Sequence, residues 1–290
     1  MKIQTFSVVV GGKKCNAHCP YCVSKMTGQD NCTDNINERN FHKACQFAKM
    51  SGVSTVLLTG KGEPTLYTEH ISRYLELIKL YNFPFVELQT NGIELHNGRR
   101  NLVDWYEQGL TTVSFSCVHW NTDKNREIFG KDFVSLEDNI KLLHHFGFSV
   151  RLSCVMVKDY INSVGDVVYF IEKCKEWGVE QFTVRPVSDD IKINDSDVSN
   201  NTTKYKIYQW IEDNIVPYKN QERIENYFDD KATLLLELAH GAKVYDYDGQ
   251  NISINTCLTH SPNPDEVRQL IYFPDGHLRY SWVYPGAIIM

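Results

Sequence analysis

The sequence predicts an α/β fold in which six βα units build a parallel sheet. Short apolar, β-branched runs alternate with segments whose apolar residues recur every three or four positions, and this alternation fills residues 1–217. A length of 290 residues is ordinary for one α/β barrel, and 42% hydrophobic residues can supply a large core. Residues 218–290 follow another pattern, which predicts a small C-terminal α+β extension.

Each predicted strand is followed by a predicted helix. The strands are expected at residues 5–10, 53–58, 85–89, 111–116, 149–157 and 181–185. The helices are expected around residues 41–48, 71–78, 102–106, 136–143, 164–174 and 208–215. The segment 188–203 is polar and rich in turn residues, so we expect a surface loop there.

The C-terminal part is predicted to combine one helix with extended segments. The helix is expected around residues 232–239, and the extended segments at 245–256 and 270–282. Pro274-Asp275-Gly276 within the last segment is typical of a β-hairpin. Its aromatic residues predict either a cover over the barrel mouth or a hairpin core. We therefore divide the chain into a barrel, residues 1–217, and a capping extension, residues 218–290.

Composition and charge exclude several classes of protein. The 30 basic and 36 acidic residues give a net charge of −6, which disfavours a nucleic-acid partner because such proteins usually carry a basic excess. No apolar run approaches the ~20 residues of a membrane span, and no secretory signal is evident, so we expect no membrane partner. The 9 cysteines then indicate a reducing compartment, the cytoplasm, and favour metal ligands or catalysts over disulfides.

The most specific motif is a cysteine cluster after the first predicted strand, Cys15-Asn16-Ala17-His18-Cys19-Pro20-Tyr21-Cys22. The carboxyl ends of strands carry the chemistry in α/β barrels. Three thiolates at this spacing suit an iron–sulfur cluster, which normally takes four cysteines, so one iron would stay open to an outside ligand. The spacing leaves a zinc site open as the alternative, with His18 as a possible ligand.

The cysteine motif resembles that of the radical S-adenosylmethionine (SAM) superfamily, and further segments agree in order along the chain. Lys61-Gly62-Glu63-Pro64 resembles the family's GGEP segment, with Lys61 in place of the first glycine. Gln89-Thr90-Asn91-Gly92 resembles the turn after the third strand. Matches on strands four to six follow at Ser114, Ser116, residues 151–157 with Asn162, and Val184-Arg185-Pro186. This resemblance spans residues 5–187 and implies a partial (β/α)6 TIM-type barrel.

The resemblance also implies the cofactors and the reaction. A single [4Fe-4S] cluster would be held by Cys15, Cys19 and Cys22, and SAM would complete it. An electron from a reduced flavodoxin- or ferredoxin-type donor would cleave SAM, and the resulting 5′-deoxyadenosyl radical would abstract hydrogen from the substrate. The residues implied as SAM contacts are Tyr21, Gly62, Glu63, Asn91, Ser116 and Arg185.

Most of these SAM contacts have a structural alternative. The alternatives are loop packing for Tyr21, a helix cap near Thr65 for Glu63, a turn for Asn91, a polar strand position for Ser116 and a salt bridge for Arg185. Lys61 departs from the family pattern. It would either narrow the approach of the backbone to SAM or add a cation near the SAM carboxylate.

The remaining cysteines are predicted to be structural. Cys45, Cys117, Cys154 and Cys174 fall on apolar helix faces or in strands and are expected in the core. Cys32 has no assigned role. The segment around Cys257 resembles the C-terminal hairpin of relatives that carry auxiliary clusters, but one cysteine cannot hold a cluster, so a single cluster is expected.

The sequence therefore predicts a radical SAM enzyme that acts on a small-molecule or nucleotide-like substrate. A peptide maturase of the same superfamily is the first alternative. A non-enzymatic zinc or electron-transfer protein is the alternative from a different class. Iron and sulfide analysis separates the last of these from the enzymes.

Overall fold

The computed structural model describes residues 2–27, 35–188, 192–238, 241–254 and 266–290. The strands are β1 (Lys2–Val9), β2 (Thr55–Thr59), β3 (Phe85–Thr90), β4 (Thr112–Cys117), β5 (Ser149–Met156), β6 (Gln181–Pro186), β7 (Thr233–Glu237), β8 (Lys243–Tyr247), β9 (Gln250–Ile254), β10 (Glu266–Tyr272) and β11 (Leu278–Arg279). The α-helices are α1 (Glu38–Met50), α2 (Thr68–Lys79), α3 (Arg99–Glu107), α4 (Thr122–Phe129), α5 (Leu136–His145), α6 (Val164–Trp177), α7 (Asp195–Ser199), α8 (Thr203–Asn214) and α9 (Tyr218–Lys231).

All the described strands belong to one sheet, in the order β11-β10-β1-β2-β3-β4-β5-β6-β9-β8-β7. β1 to β6 are successive parallel neighbours, as the predicted βα units require. β10 extends the parallel part beside β1, and β9 extends it beside β6. β11, β8 and β7 complete the two edges with antiparallel pairs. The architecture is the predicted α/β class, a parallel sheet consistent with a partial TIM-type barrel.

The two faces of the strands differ in polarity, and this difference creates a cavity. Side chains alternate between the faces of a strand. In β1, Phe6 and Val8 are fully buried in the core, whereas Thr5 and Ser7 line a cavity on the other face. The helices cover the apolar face, as in α1, where Phe41 and Cys45 are buried. We call the space on the polar face the barrel cavity.

The described strands after α9 are added to both edges of the sheet. Tyr272 in β10 packs against Phe41 of α1, with ring centroids 5.0 Å apart, and its hydroxyl donates to the Asn37 carbonyl at 2.7 Å. The predicted hairpin is confirmed, since β10 and β11 pair antiparallel around Pro274-Asp275-Gly276. Cys32 and Cys257 lie outside the described residues.

Two local predictions are wrong. The helix expected around residues 232–239 is absent from the described part of that range, because α9 ends at Lys231 and residues 233–237 form β7 instead. Main-chain pairing with β8 outweighs the helical preference of the Leu234-Leu235-Leu236 run. The surface loop expected at 188–203 contains α7, which a capping box at Asn194 starts.

Within the described residues, none of the helices has the length and apolar character that a bilayer span requires.

Candidate functional site

The cysteine motif lies on a loop, residues 14–27, at the carboxyl end of β1; we call it the cysteine loop. The chain turns at Gly11, which has a φ of 63°. Inside the loop, the N–H of His18 donates to the carbonyl of Phe129 at the end of α4, at 3.0 Å. Val23, Ser24 and Thr27 line the barrel cavity, so the loop stands at its edge.

The three thiols of the motif are neighbours. Burial, with a smaller contribution from the charges of Cys22 and Cys15, raises the pKa of the Cys19 thiol to about 12. Burial also raises the pKa of Cys15; the Ala17 N–H, which donates to its Sγ at 3.4 Å, lowers it in part. All three are free thiols, Cys15 exposed and the other two half-buried.

The three thiols lie close enough to interact electrostatically. Among the residues that the structure describes, no three His, Cys, Asp or Glu side chains are gathered as ligands of a single metal ion. A zinc ion would need sulfur atoms at about 2.3 Å from one centre. Three thiolates that each bind a different iron of a cluster need no common centre. Three cysteine thiols on one loop are the type of ligand that iron–sulfur clusters take.

Two residues after β2 hold the start of the cysteine loop. The N–H of Glu63 donates to the carbonyl of Lys14 at 2.9 Å. A Cβ on Gly62 would stand 2.2 Å from the same carbonyl oxygen, so only glycine allows this approach. The segment that resembles GGEP thus packs directly against the residue before Cys15.

The Glu63 carboxylate is buried and joins the ends of β2 and β3. It accepts hydrogen bonds from the N–H and hydroxyl of Thr65, at 3.0 and 2.7 Å, and from the Thr90 hydroxyl at 2.6 Å. A fourth bond comes from the N–H of Asn91 at 2.9 Å. Burial raises the pKa of Glu63, and these bonds lower it in part. The predicted cap near Thr65 is confirmed, at a short 3-10 helix, Pro64–Leu66.

Asn91 connects the end of β3 to the middle of the cysteine loop. Its Nδ2 donates to Oδ1 of Asn16 at 2.7 Å, and its Oδ1 accepts from the N–H of Ile93 at 3.0 Å. Asn16 in turn donates to Glu94 at 3.2 Å. The predicted turn at Asn91 is therefore present, and the same side chain also orients the loop. The sequence patterns did not identify Asn16 as a residue of the site. Its position between Cys15 and Cys19 is the only feature of the sequence that could have indicated this role.

Tyr21 is part of the cysteine loop and contacts α8. Its ring packs against Trp210 of α8, with centroids 5.6 Å apart. Its hydroxyl is buried and has no hydrogen-bond partner in the described part of the chain. Burial raises the pKa of Tyr21, and the guanidinium of Arg185 opposes this rise, which places the two side chains near each other.

The barrel cavity has a volume of about 1010 Å³, and most of the residues that line it are polar. Ser116 and Arg185, two of the predicted SAM contacts, are among the residues that line it. Arg185 takes part in none of the ion pairs between described residues, so the predicted salt bridge is not found. Arg151 is paired with Glu87 at 2.5 Å. Barrel interiors are usually filled by branched apolar side chains, whereas short polar ones here leave room for ligands.

The structure thus places the predicted residues in two groups. Tyr21, Gly62, Glu63 and Asn91 lie on or against the cysteine loop. Ser116 and Arg185 lie on strands that line the barrel cavity. The four other described cysteines are buried, as expected: Cys45, Cys117, Cys154 and Cys174.

The sequence profile of the radical SAM superfamily matches residues 9–171, a little over half of the chain. The chain belongs to the radical SAM superfamily. The matched region runs from the end of β1 through most of α6 and includes the whole cysteine loop.

Two curated relatives match part of the chain. The GTP 3′,8-cyclase of Clostridium acetobutylicum is 28% identical over 185 residues, which are 62% of this chain and 56% of the cyclase. The uncharacterized protein MJ0804 of Methanocaldococcus jannaschii is 26% identical over 131 residues, 45% of this chain and 40% of that protein. This radical SAM chain thus matches only about half of either relative's length.

A solved structure shows the same fold over nearly the whole chain. Streptococcus suis SuiB, bound to its precursor peptide SuiA, superposes with a TM-score of 0.57 and 16% identity. The match covers 97% of this chain and 60% of SuiB. At this identity the likeness concerns the fold alone.

Proposed function

We propose that this radical SAM enzyme holds one [4Fe-4S] cluster on Cys15, Cys19 and Cys22 and binds SAM at the fourth iron. The supporting observation is the position of the three thiols, on one loop at the carboxyl end of β1 and at the edge of the barrel cavity. One electron from a reduced flavodoxin- or ferredoxin-type protein would break the C5′–S bond of SAM, releasing methionine and the radical that abstracts hydrogen from the substrate.

The protein side chains around the cofactors would bind and orient SAM. We assign SAM contacts to Tyr21, Gly62, Asn91, Ser116 and Arg185. Glu63 would act mainly through its neighbours, because its carboxylate is already occupied by hydrogen bonds from Thr65, Thr90 and Asn91. Arg185 is the cavity residue best suited to an anionic group, since none of the described carboxylates is paired with it.

The substrate we favour is a small, nucleotide-like molecule. Ligand pockets usually measure about 300–1,000 Å³, so a cavity of about 1010 Å³ has room for SAM and a small substrate together. The polar side chains of the lining offer hydrogen bonds, and Arg185 offers positive charge, to a polar, anionic molecule. The name of the Clostridium relative, a GTP 3′,8-cyclase, is compatible with this class of substrate.

A peptide is the second candidate substrate, and one feature favours it. β7 is the last strand of the sheet and pairs only with β8 among the described strands. Its Leu236 and Glu237 line the barrel cavity. An extended peptide could add to such an edge and present a side chain to the cavity.

The test of the main proposal is the formation of 5′-deoxyadenosine. Purified without oxygen, loaded with iron and sulfide, and given dithionite and SAM, the protein should form this product. Cys19→Ala should abolish it, because one iron loses its ligand, whereas Cys45→Ala, which removes a buried thiol of α1, should retain it. Full product formation by Cys19→Ala would contradict the assignment.

The same assay separates the two substrate classes. Nucleotides should increase the yield of 5′-deoxyadenosine if the cavity takes a small anionic substrate, and peptides should not. The reverse result would favour the peptide candidate.

The seven described cysteines are all free thiols, which supports a cytoplasmic location as part of the proposal.

A further inference from the structure

Lys61, which stands where the family's segment has glycine, is almost completely buried at 5% exposure. Its Nζ donates a hydrogen bond to the main-chain carbonyl of Thr27 at 3.1 Å and a second one to the Thr27 hydroxyl. A buried ammonium is costly unless it is hydrogen-bonded, so these contacts fix where the side chain can lie.

Thr27 is the last residue of the cysteine loop and connects Lys61 to the segment that follows Cys22. Its hydroxyl donates to the carbonyl of Ser24 at 3.3 Å. Ser24 belongs to the short 3-10 turn Val23–Lys25, which begins directly after Cys22. The N–H of Lys25 closes this turn by donating to the Cys22 carbonyl at 3.0 Å. A fixed Thr27 therefore fixes the backbone that carries Cys22.

The next two residues hold the other end of the same loop. Gly62 packs against the carbonyl of Lys14, and Glu63 donates its N–H to that carbonyl. Three consecutive residues after β2 thus contact both the residue before Cys15 and the segment after Cys22. A glycine at position 61 would leave only the first of these two contacts.

We propose that Lys61 is a positioning residue that holds the C-terminal end of the cysteine loop and so sets the separation of Cys22 from Cys15. The inference rests on the proposed function in that these thiols are the cluster ligands. The contacts themselves are a property of the chain without its cofactors. Ligands held in place by neighbouring hydrogen bonds bind a metal centre in one defined geometry.

The first test measures hydrogen exchange in the full-length, iron-free protein. Lys61→Met keeps the length of the side chain but removes the ammonium. Exchange in residues 23–27 should become about tenfold faster or more, the change expected from losing a hydrogen bond to a charged group. Exchange in β2 should not change. Lys61→Arg, which keeps a charged donor, should recover part of the protection, and the exposed-lysine control Lys43→Met should match the unchanged protein.

The second test is spectroscopic and uses the iron-loaded protein. Binding of SAM should shift the electron paramagnetic resonance signal of the reduced cluster in the unchanged protein. Lys61→Met should give a broadened, heterogeneous signal with a smaller shift, and Lys61→Arg should restore it. A change confined to overall stability would not alter this signature.

The outcomes separate the two proposals. If the unchanged protein takes up no iron, the proposed function fails, while hydrogen exchange still decides the role of Lys61. Unchanged exchange in residues 23–27 of Lys61→Met would overturn that role. If Lys61→Met does not fold, Thr27→Val decides instead: faster exchange confined to residues 23–27 supports the proposal, and unchanged exchange refutes it.

Discussion

Glu63 is a buried residue whose side-chain and main-chain hydrogen bonds together join three parts of the chain. Its partners lie in the 3-10 helix after β2 and at the end of β3, and its own N–H holds the start of the cysteine loop. All four donors point at the carboxylate oxygens. If either oxygen were replaced by a group that cannot accept a hydrogen bond, at least one buried donor would be left unsatisfied. Glu63 therefore stabilises the site by holding these segments together.

Glu63→Gln should destabilise the folded protein by about 1–3 kcal/mol, because the amide NH2 cannot accept the bonds that a carboxylate oxygen accepts. Urea unfolding of the full-length protein measures this loss. Glu107→Gln removes an exposed carboxylate of α3 and should leave the midpoint unchanged. Equal midpoints for the two variants would show that the Glu63 network contributes nothing to stability.

At the scale of the element, the cysteine loop has no regular structure over most of its length, and its neighbours determine its shape. Glu63 and Gly62 contact its start, Asn91 its middle, and Lys61 its end. The contact at Gly62 is the tightest, since it leaves no room for a side chain.

Gly62→Ala should displace the start of the cysteine loop, because the new Cβ would stand 2.2 Å from the Lys14 carbonyl oxygen. We expect a clear loss of iron per chain after reconstitution. Gly165→Ala in the first turn of α6 is the matched control, since its nearest atom is 3.8 Å away and α-helices favour alanine. Normal iron content in Gly62→Ala would mean that the loop tolerates the shift and that this contact is dispensable.

At the scale of the whole molecule, the strands that follow α9 belong to the same sheet as the barrel strands. β9 pairs with β6 and β10 with β1, and Tyr272 fills the core beside Phe41. Removing these strands would expose two edges of the parallel sheet together with part of its core.

A chain that ends at residue 217 should therefore lose cooperative unfolding, in addition to any effect on substrate turnover. Thermal unfolding followed by circular dichroism measures this against the full-length chain. Cooperative unfolding of the shortened chain at the original temperature would show that the later strands are only an attachment to an independent barrel.

The sequence was enough to predict the strands β1 to β6, because each of them is a short apolar or alternating run with turn residues at its ends. It failed at β7, where three leucines suit a helix equally well and only pairing with β8 decides. The sequence also could not show that β10 lies beside β1. That pairing joins residues far apart in the chain, and local periodicity does not indicate which strands pair.

For the candidate site, spacing was enough to bring the three cysteines to one loop, and strand order placed Ser116 and Arg185 on the cavity wall. The roles of Asn16 and Lys61 could not be predicted, since both depend on which side chains the fold brings within hydrogen-bond distance. Lys61 was noticeable only as a departure from the family pattern.

The central claim is that three cysteines of one loop hold a cluster of four irons, and metal analysis tests it most directly. Protein purified and reconstituted without oxygen should contain about four iron and about four sulfide per chain. Replacing Cys15, Cys19 and Cys22 together by alanine should remove both. One zinc per chain with no uptake of iron, or iron that persists in the triple variant, would contradict the account.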